Sequence, residues 1–248
     1  MIILKTAAEI EQMRKAGALV GQVLERLGRY VAPGVRTAEL DAIAEEMILA
    51  AGGTPSFKGY CGYPASICVS VNDEIIHGIP GKRVLVEGDI VSIDCGAILD
   101  GYQGDAAMTF PVGDVSVEAE KLMRVTREAL EAGIEMARPT MRLGDIGNAI
   151  QVHAESNGFS VVRDFVGHGI GRRMHEDPQI PNFGSPGTGL RLRPGMVLAI
   201  EPMVNAGGHE VMIMDDGWTT CTRDGSLSAH FEHTVAITDA GPEVLTLP

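Results

Sequence analysis

Five side chains set far apart along the chain, Asp94, Asp105, His168, Glu201 and Glu232, are of the types that ligate a divalent first-row metal. Each stands in or at the end of a short segment that reads as strand, in VSID, QGDAAMTF, VGHGIG, VLAIEP and HFEHTVAI. Four carboxylates and one imidazole exceed what a single closed tetrahedral site takes. The set suits two ions sharing bridging carboxylates, and that arrangement activates water for hydrolysis.

Local geometry supports the grouping. Asp100-Gly101 is a strong hairpin-turn dipeptide between two apolar runs. With the turn there, Asp94 faces Ala107, and Asp105 lies two residues away on the partner strand. An offset of two keeps both carboxylates on one sheet face, roughly 7 Å apart. Two such carboxylates repel unless a cation lies between them. The competing reading is a pair of solvated surface aspartates, and the apolar flanks IVSID and AAMTF argue against it. Glu201 and Glu232, taken singly, read as strand-end surface acids. His168 sits between glycines, which allow close backbone approach. Two further histidines, His77 in IIHGIP and His175 in MHEDP, stand in comparable segments.

An internal repeat ties these residues together. LVEGDIVSID closes on Asp94, and LRPGMVLAIE closes on Glu201. VAPGVRTAELDAIAEE from Val31 matches ARPTMRLGDIGNAIQ from Ala137, at an offset that agrees to within one residue. The chain thus reads as two related halves of one domain, about 1–113 and 114–248, with Glu201 in the place of Asp94. Each half reads as two helices followed by strands: helices at about 7–30 and 37–51, then at about 117–137 and 143–156. Helices preceding antiparallel strands in each half predict an α+β fold, with helices packed on one face of a curved sheet. The Gly- and Pro-rich stretch 178–195 reads as an ordered loop, because strong motifs flank it.

The 248 residues suffice for one sizeable core. A hydrophobic content of 45% and a charged content of 21% are those of a soluble globular protein. The net charge of −13 argues against direct nucleic-acid binding. No secretory h-region follows the start MIILKTAAEIEQ, and no apolar run is long enough to span a membrane. A cytoplasmic protein is expected, with Cys61, Cys68, Cys95 and Cys221 as reduced thiols, most of them in or near the core.

Together the segments GYPASICVSVNDEIIHGIP, VSIDCGAILDGYQGDAAMTF, VGHGIGRRMHEDPQIPN, LRPGMVLAIEP and DDGWTTCTRDGSLSAHFEHTVAIT resemble the type I methionine aminopeptidases. The likeness spans most of residues 57–238. It implies the pita-bread fold, with two pseudo-symmetric halves, and removal of N-terminal methionine before a small second residue. It implies that Asp94 ligates one ion, that Asp105 and Glu232 bridge two, and that His168 and Glu201 complete the other. The ions would be Co, Mn, Fe or Zn. Glu201 would also move the proton from the attacking water to the leaving amine. His175 would meet the scissile carbonyl, and His77 the amide nitrogen or leaving group. Phe57, Tyr60, Tyr63, Cys68, Met174 and Trp218 would line or flank the methionine pocket. A monovalent cation, Na or K, would sit on backbone carbonyls at Asn72, Glu74 and Ser228.

The resemblance further implies a monomer acting on nascent chains, with the ribosome as a plausible partner. Two positions depart from the family pattern: Met174, where Phe is frequent, and His230, where Gln is frequent. X-Pro peptidases and creatinase-like hydrolases share the ligand pattern but usually carry an extra N-terminal domain. Non-catalytic relatives lose ligands, and here all five positions are filled.

Overall fold

In the computed structural model, which describes residues 2–248, the chain opens with two helices, α1 (Ala7–Gly28) and α2 (Thr37–Ala50). Thr6 and Glu9 form a reciprocal capping box at the start of α1: Glu9 N donates to the Thr6 hydroxyl, and Thr6 N donates to the Glu9 carboxylate. The buried stripe Met13, Ala16, Val20, Val23, Leu24 and Leu27 holds the helix to the sheet at helical spacing. Gly17 and Gly21 lower its intrinsic propensity. They do so where the C-terminal segment crosses, and a methyl group on either would collide with the backbone of residues 245–248.

After the short β1 (Thr54–Pro55) and a 3₁₀ turn (Tyr60–Gly62) come β2 (Ile67–Val71), β3 (Glu74–Ile76), β4 (Ile90–Leu99) and β5 (Tyr102–Pro111). The second helix pair is α3 (Val117–Met136) and α4 (Leu143–Ser156). It is followed by β6 (Ser160–Val161), β7 (Gly167–Gly169), β8 (Glu176–Ile180), β9 (Val197–Ile200), β10 (Met203–Asn205) and β11 (Val211–Ile213). The chain finishes through β12 (Thr220–Thr222), β13 (Ser228–His230), β14 (Glu232–Thr238) and β15 (Gly241–Val244). The four helices expected from the sequence are present. α1 stops slightly early because Arg29 and Tyr30 turn back onto the Arg26 and Leu27 carbonyls.

The main sheet runs β1-β4-β5-β14-β9-β7-β8, with β2 added on β4 and β15 on β14. Every pairing in it is antiparallel. The two halves of the chain meet where β5 pairs with β14. Thr234 fastens this seam: Asp105 N donates to its hydroxyl, and the hydroxyl donates to Asp105 O.

Alternation along the strands decides which residues face which side. Ile93, Cys95, Ala97 and Ala106 point into the apolar cluster beneath α1 and α2. Leu198, Ile200, Val235 and Ile237 point into a second cluster beneath α3 and α4. Asp94, Asp105 and Glu232 have the opposite parity and face away from the helices. The stretch 181–195 is tied down rather than loose: Leu143 N donates to Leu190 O, Leu192 N to Met141 O, and Gly187 N to the Asp145 carboxylate.

Candidate metal centre

Strand register assembles the five ligand-type side chains. Asp94 pairs with Ala107, as the hairpin arithmetic predicts, and Asp105 pairs with Gly96. Ala107 also pairs with Glu232 on its other side. Asp94, Ala107 and Glu232 therefore stand in a row across three strands, and the small alanine leaves open space between two carboxylates. A matching row runs through Ala199, which pairs with both His168 and Thr234. Glu201 follows directly on β9. His168 Nε2 lies 3.8 Å from Asp105 Oδ2 and 3.6 Å from Glu201 Oε1.

The cluster is buried and electrostatically uncomfortable. Asp105, His168 and Glu232 are buried, and Asp94 and Glu201 nearly so. Asp94 Oδ1, Asp105 Oδ1 and Glu232 Oε1 have no hydrogen-bond partner. Burial pushes the Asp94 carboxyl up to about 7. Burial, reinforced by the neighbouring carboxylates, holds Asp105, Glu201 and Glu232 well above the usual range. Buried charges without partners are costly, and metal coordination is one way a fold satisfies them.

The donors fit such an ion. Asp105, His168 and Glu232 each offer an atom, all within 4.8 Å of one another, and Glu201, His230 and Glu232 form a second such triad. Two donors at about 2.1 Å from one ion stand about 3–4 Å apart. His168 is prepared as a ligand: its Nδ1 donates to Gly169 O at 2.9 Å, which leaves the Nε2 lone pair facing the carboxylates. Burial lowers its imidazolium to about 4, so the ring is neutral at physiological pH.

A cavity of about 180 Å³ opens onto the cluster. Phe57, Tyr60, Tyr63, Cys68 and Trp218 form its apolar wall, and His77 and His175 its polar rim. Tyr63 is held by donation to Gly78 O at 2.9 Å and by edge contact with Trp218 at 5.1 Å. Cys68 pairs directly with Asp94 across β2 and β4, so the wall adjoins the carboxylates. Such a volume suits one side chain rather than a drug-sized ligand.

His77 has left-handed backbone, φ 60°, a costly conformation for a residue with a Cβ. Its ring stands edge-on to Phe165 at 5.7 Å and Trp218 at 6.4 Å. Burial lowers it to about 4. His175 is open to solvent on one side, and burial of the other lowers its imidazolium below the ordinary range.

Met174 does not stand in the cavity wall. It is buried behind it, in a cluster with Met13, Tyr102 and Ile170 against which Phe57 packs. Residues 171–175 form a bend ahead of β8, and in it Met174 is buried while His175 is exposed. Cys61 lines the cavity and had no motif to mark it. His230 was visible only as a departure from a family pattern, yet its side chain reaches the carboxylates.

Asn72, Glu74 and Ser228 also come together. Asn72 takes left-handed backbone, φ 62°, and its carbonyl accepts from Ser228 N at 2.9 Å. The Glu74 carboxylate accepts from Val71 N and pairs with Arg83 at 2.7 Å.

Residues 11–239 match the model of metallopeptidase family M24. A methionine aminopeptidase of Clostridium perfringens is 61% identical over 247 residues, covering 100% of this chain and 99% of that protein. The crystal structure of methionine aminopeptidase from Thermotoga maritima superposes with a TM-score of 0.99 at 51% identity, covering 100% of both chains. An Xaa-Pro dipeptidase from Bacillus anthracis shares the fold alone, with a TM-score of 0.79 at 23% identity over 98% of this chain and 61% of its own. The architecture common to them is the α+β pita-bread fold.

Proposed function

We infer the reaction from one premise: the chain belongs to metallopeptidase family M24 and, within it, to the methionine aminopeptidases. It is a hydrolase, and we propose that it removes N-terminal methionine from peptides and nascent proteins with a small second residue. One observation carries this reading beyond the family name. An apolar cavity sized for one side chain opens directly onto buried carboxylates with unpaired oxygens.

Asp94, Asp105, His168, Glu201 and Glu232 would hold two divalent ions, Co, Mn, Fe or Zn, with Asp105 and Glu232 serving both. When bound, the ions supply a water acidified toward neutrality and Lewis-acid stabilisation of the carbonyl. The chain's own groups do the rest. Phe57, Tyr63, Cys68 and Trp218 bury the methionine side chain and exclude water from it. The substrate's free α-amine would be held at the carboxylate cluster beside Cys68, which restricts cleavage to the first peptide bond.

The Glu201 carboxylate accepts a proton from the nucleophile and returns it to the leaving amine. His175 donates from Nε2 to the carbonyl oxygen as charge develops there. His77, beside Phe165 and Trp218, would lie by the scissile amide. The carbonyls of Asn72, Glu74 and Ser228 offer a place for a sodium or potassium ion. No helix among the described residues is long and apolar enough to cross a membrane. We place the protein in the cytoplasm as a monomer, where emerging chains at the ribosome present the substrate.

A panel of Met-Xaa-Ser peptides, with the metal-stripped enzyme refilled by each ion in turn, tests the reading. Cleavage is expected for Gly, Ala and Ser in second position and to fall with side-chain size. Preferential cleavage of Xaa-Pro peptides would overturn it.

A further inference from the structure

We propose that His230 is itself a ligand in this centre: its Nε2 joins Glu201 and Glu232 on one ion, so the chain brings two imidazoles to its metals. The proposal rests on the two-ion reading above.

The His230 side chain is 2% exposed, and its Nε2 has no hydrogen-bond partner. A buried ring nitrogen left without a partner is costly, as any desolvated polar atom is. That nitrogen is 3.8 Å from Glu201 Oε2, beyond hydrogen-bond reach. It is within the separation of about 3–4 Å that two donors keep on a shared ion.

Glu201 is flanked on both sides. Oε1 faces His168 at 3.6 Å and Oε2 faces His230 at 3.8 Å. His230, Glu201 and Glu232 present donor atoms all within 4.8 Å of one another.

The backbone holds the ring there. His230 N donates to the Thr109 hydroxyl at 2.9 Å, and that hydroxyl donates to His230 O at 2.9 Å. His230 also pairs with Met203 at the end of β13. His230 closes β13 and Glu232 opens β14; both present donor atoms to the carboxylate cluster, while Phe231 between them enters the core beneath α3. The backbone at this position is therefore fixed, and burial confines the ring. A second imidazole in place of an oxygen donor favours the later first-row ions over Mn.

The proposal is tested on the full chain loaded with Co(II), by proton NMR in water. Each coordinated neutral histidine contributes one solvent-exchangeable N–H resonance shifted far outside the protein envelope. Two are expected, from His168 and His230, and one in His230→Gln. In the same variant, Co(II) affinity at one of the two sites should fall by about 10–100-fold, and Mn(II) affinity by less. The wild-type count stands even if the variant folds poorly. A single shifted N–H in the wild type would overturn the proposal and leave the metallopeptidase reading intact. A wild-type chain that binds no Co(II) would remove that reading and the proposal with it.

Discussion

Tyr60 Oη lies 2.8 Å from Nδ1 of His175, and the two rings tilt together with centroids 5.4 Å apart. The residues come from distant parts of the chain, one from the 3₁₀ turn ahead of β2 and one from the approach to β8. A neutral imidazole carries one proton. With the tyrosine donating to Nδ1, that proton sits on Nε2, where a carbonyl oxygen can accept it.

The Tyr60–His175 contact sets the first expectation. His175→Ala should lower kcat by roughly 100–1,000-fold, the usual loss for one oxyanion donor. Tyr60→Phe removes only the tautomer anchor and should cost about 3–10-fold, the worth of one ordinary hydrogen bond. Both variants should keep two ions per chain by elemental analysis. Loss of metal from His175→Ala would mean that this histidine is a ligand and not a donor to substrate.

Glu232 gives a different signature. It stands beside Ala107 in the row that leads to Asp94, with one oxygen unpartnered. Glu232→Ala should therefore lose divalent binding together with activity. Full occupancy by two ions in this variant would contradict a bridging role.

The carboxyl of Asp94, raised by burial to about 7, gives a pH dependence with a definite sign. An unfolded aspartate titrates near 3.9. Between these values the folded chain holds the proton and the unfolded chain does not. The group's contribution to stability is present below about 4 and is lost as pH rises through 7. Several buried histidines with lowered values shift stability in the opposite direction, so the informative quantity is a difference. In metal-free protein, the melting temperature of wild type minus that of Asp94→Asn should fall as pH rises from 4 to 7. A difference that stays flat or rises over that interval would refute the assignment. For the same reason, Mn(II) binding at pH 6 should release protons, measurable by calorimetry in buffers of different ionisation enthalpy.

What the sequence disclosed follows the range of the interactions involved. The Asp94–Ala107 register could be read because a two-residue turn fixes it locally. The place of Glu201 followed from the repeat. The meeting of Glu232 with Ala107 spans more than a hundred residues and carries no local mark, so the repeat could only suggest it. Met174 beside His175 is expected in the pocket, but the bend at 171–175, which no local pattern announces, places it in the core. Cys61 reaches the cavity through left-handed backbone, φ 50°, within a 3₁₀ turn that no periodicity announces.

Lys5 and Glu176 could not have been paired from sequence at all, and they carry the last expectation. Lys5 Nζ lies 2.6 Å from Glu176 Oε2, with both side chains about 5% exposed or less. Lys5 Nζ also donates to Ile3 O at 3.1 Å, and Lys5 N donates to Gly195 O at 2.7 Å. The other oxygen of Glu176 accepts from Arg173 N at 3.2 Å. Glu176 therefore pins the turn that presents His175 and fastens it to the N-terminal segment. Removing one partner leaves the other charge buried, which costs about 3–5 kcal/mol. Lys5→Ala should show that loss in urea unfolding of the metal-loaded protein. Replacing both partners at once, in Lys5→Met/Glu176→Gln, should recover much of it, since no uncompensated charge remains. Because the turn would no longer be fastened to the N-terminal segment, kcat should be lowered in the double variant while two ions remain bound. If kcat returns together with stability, the pair acts on folding alone and has no part in holding His175.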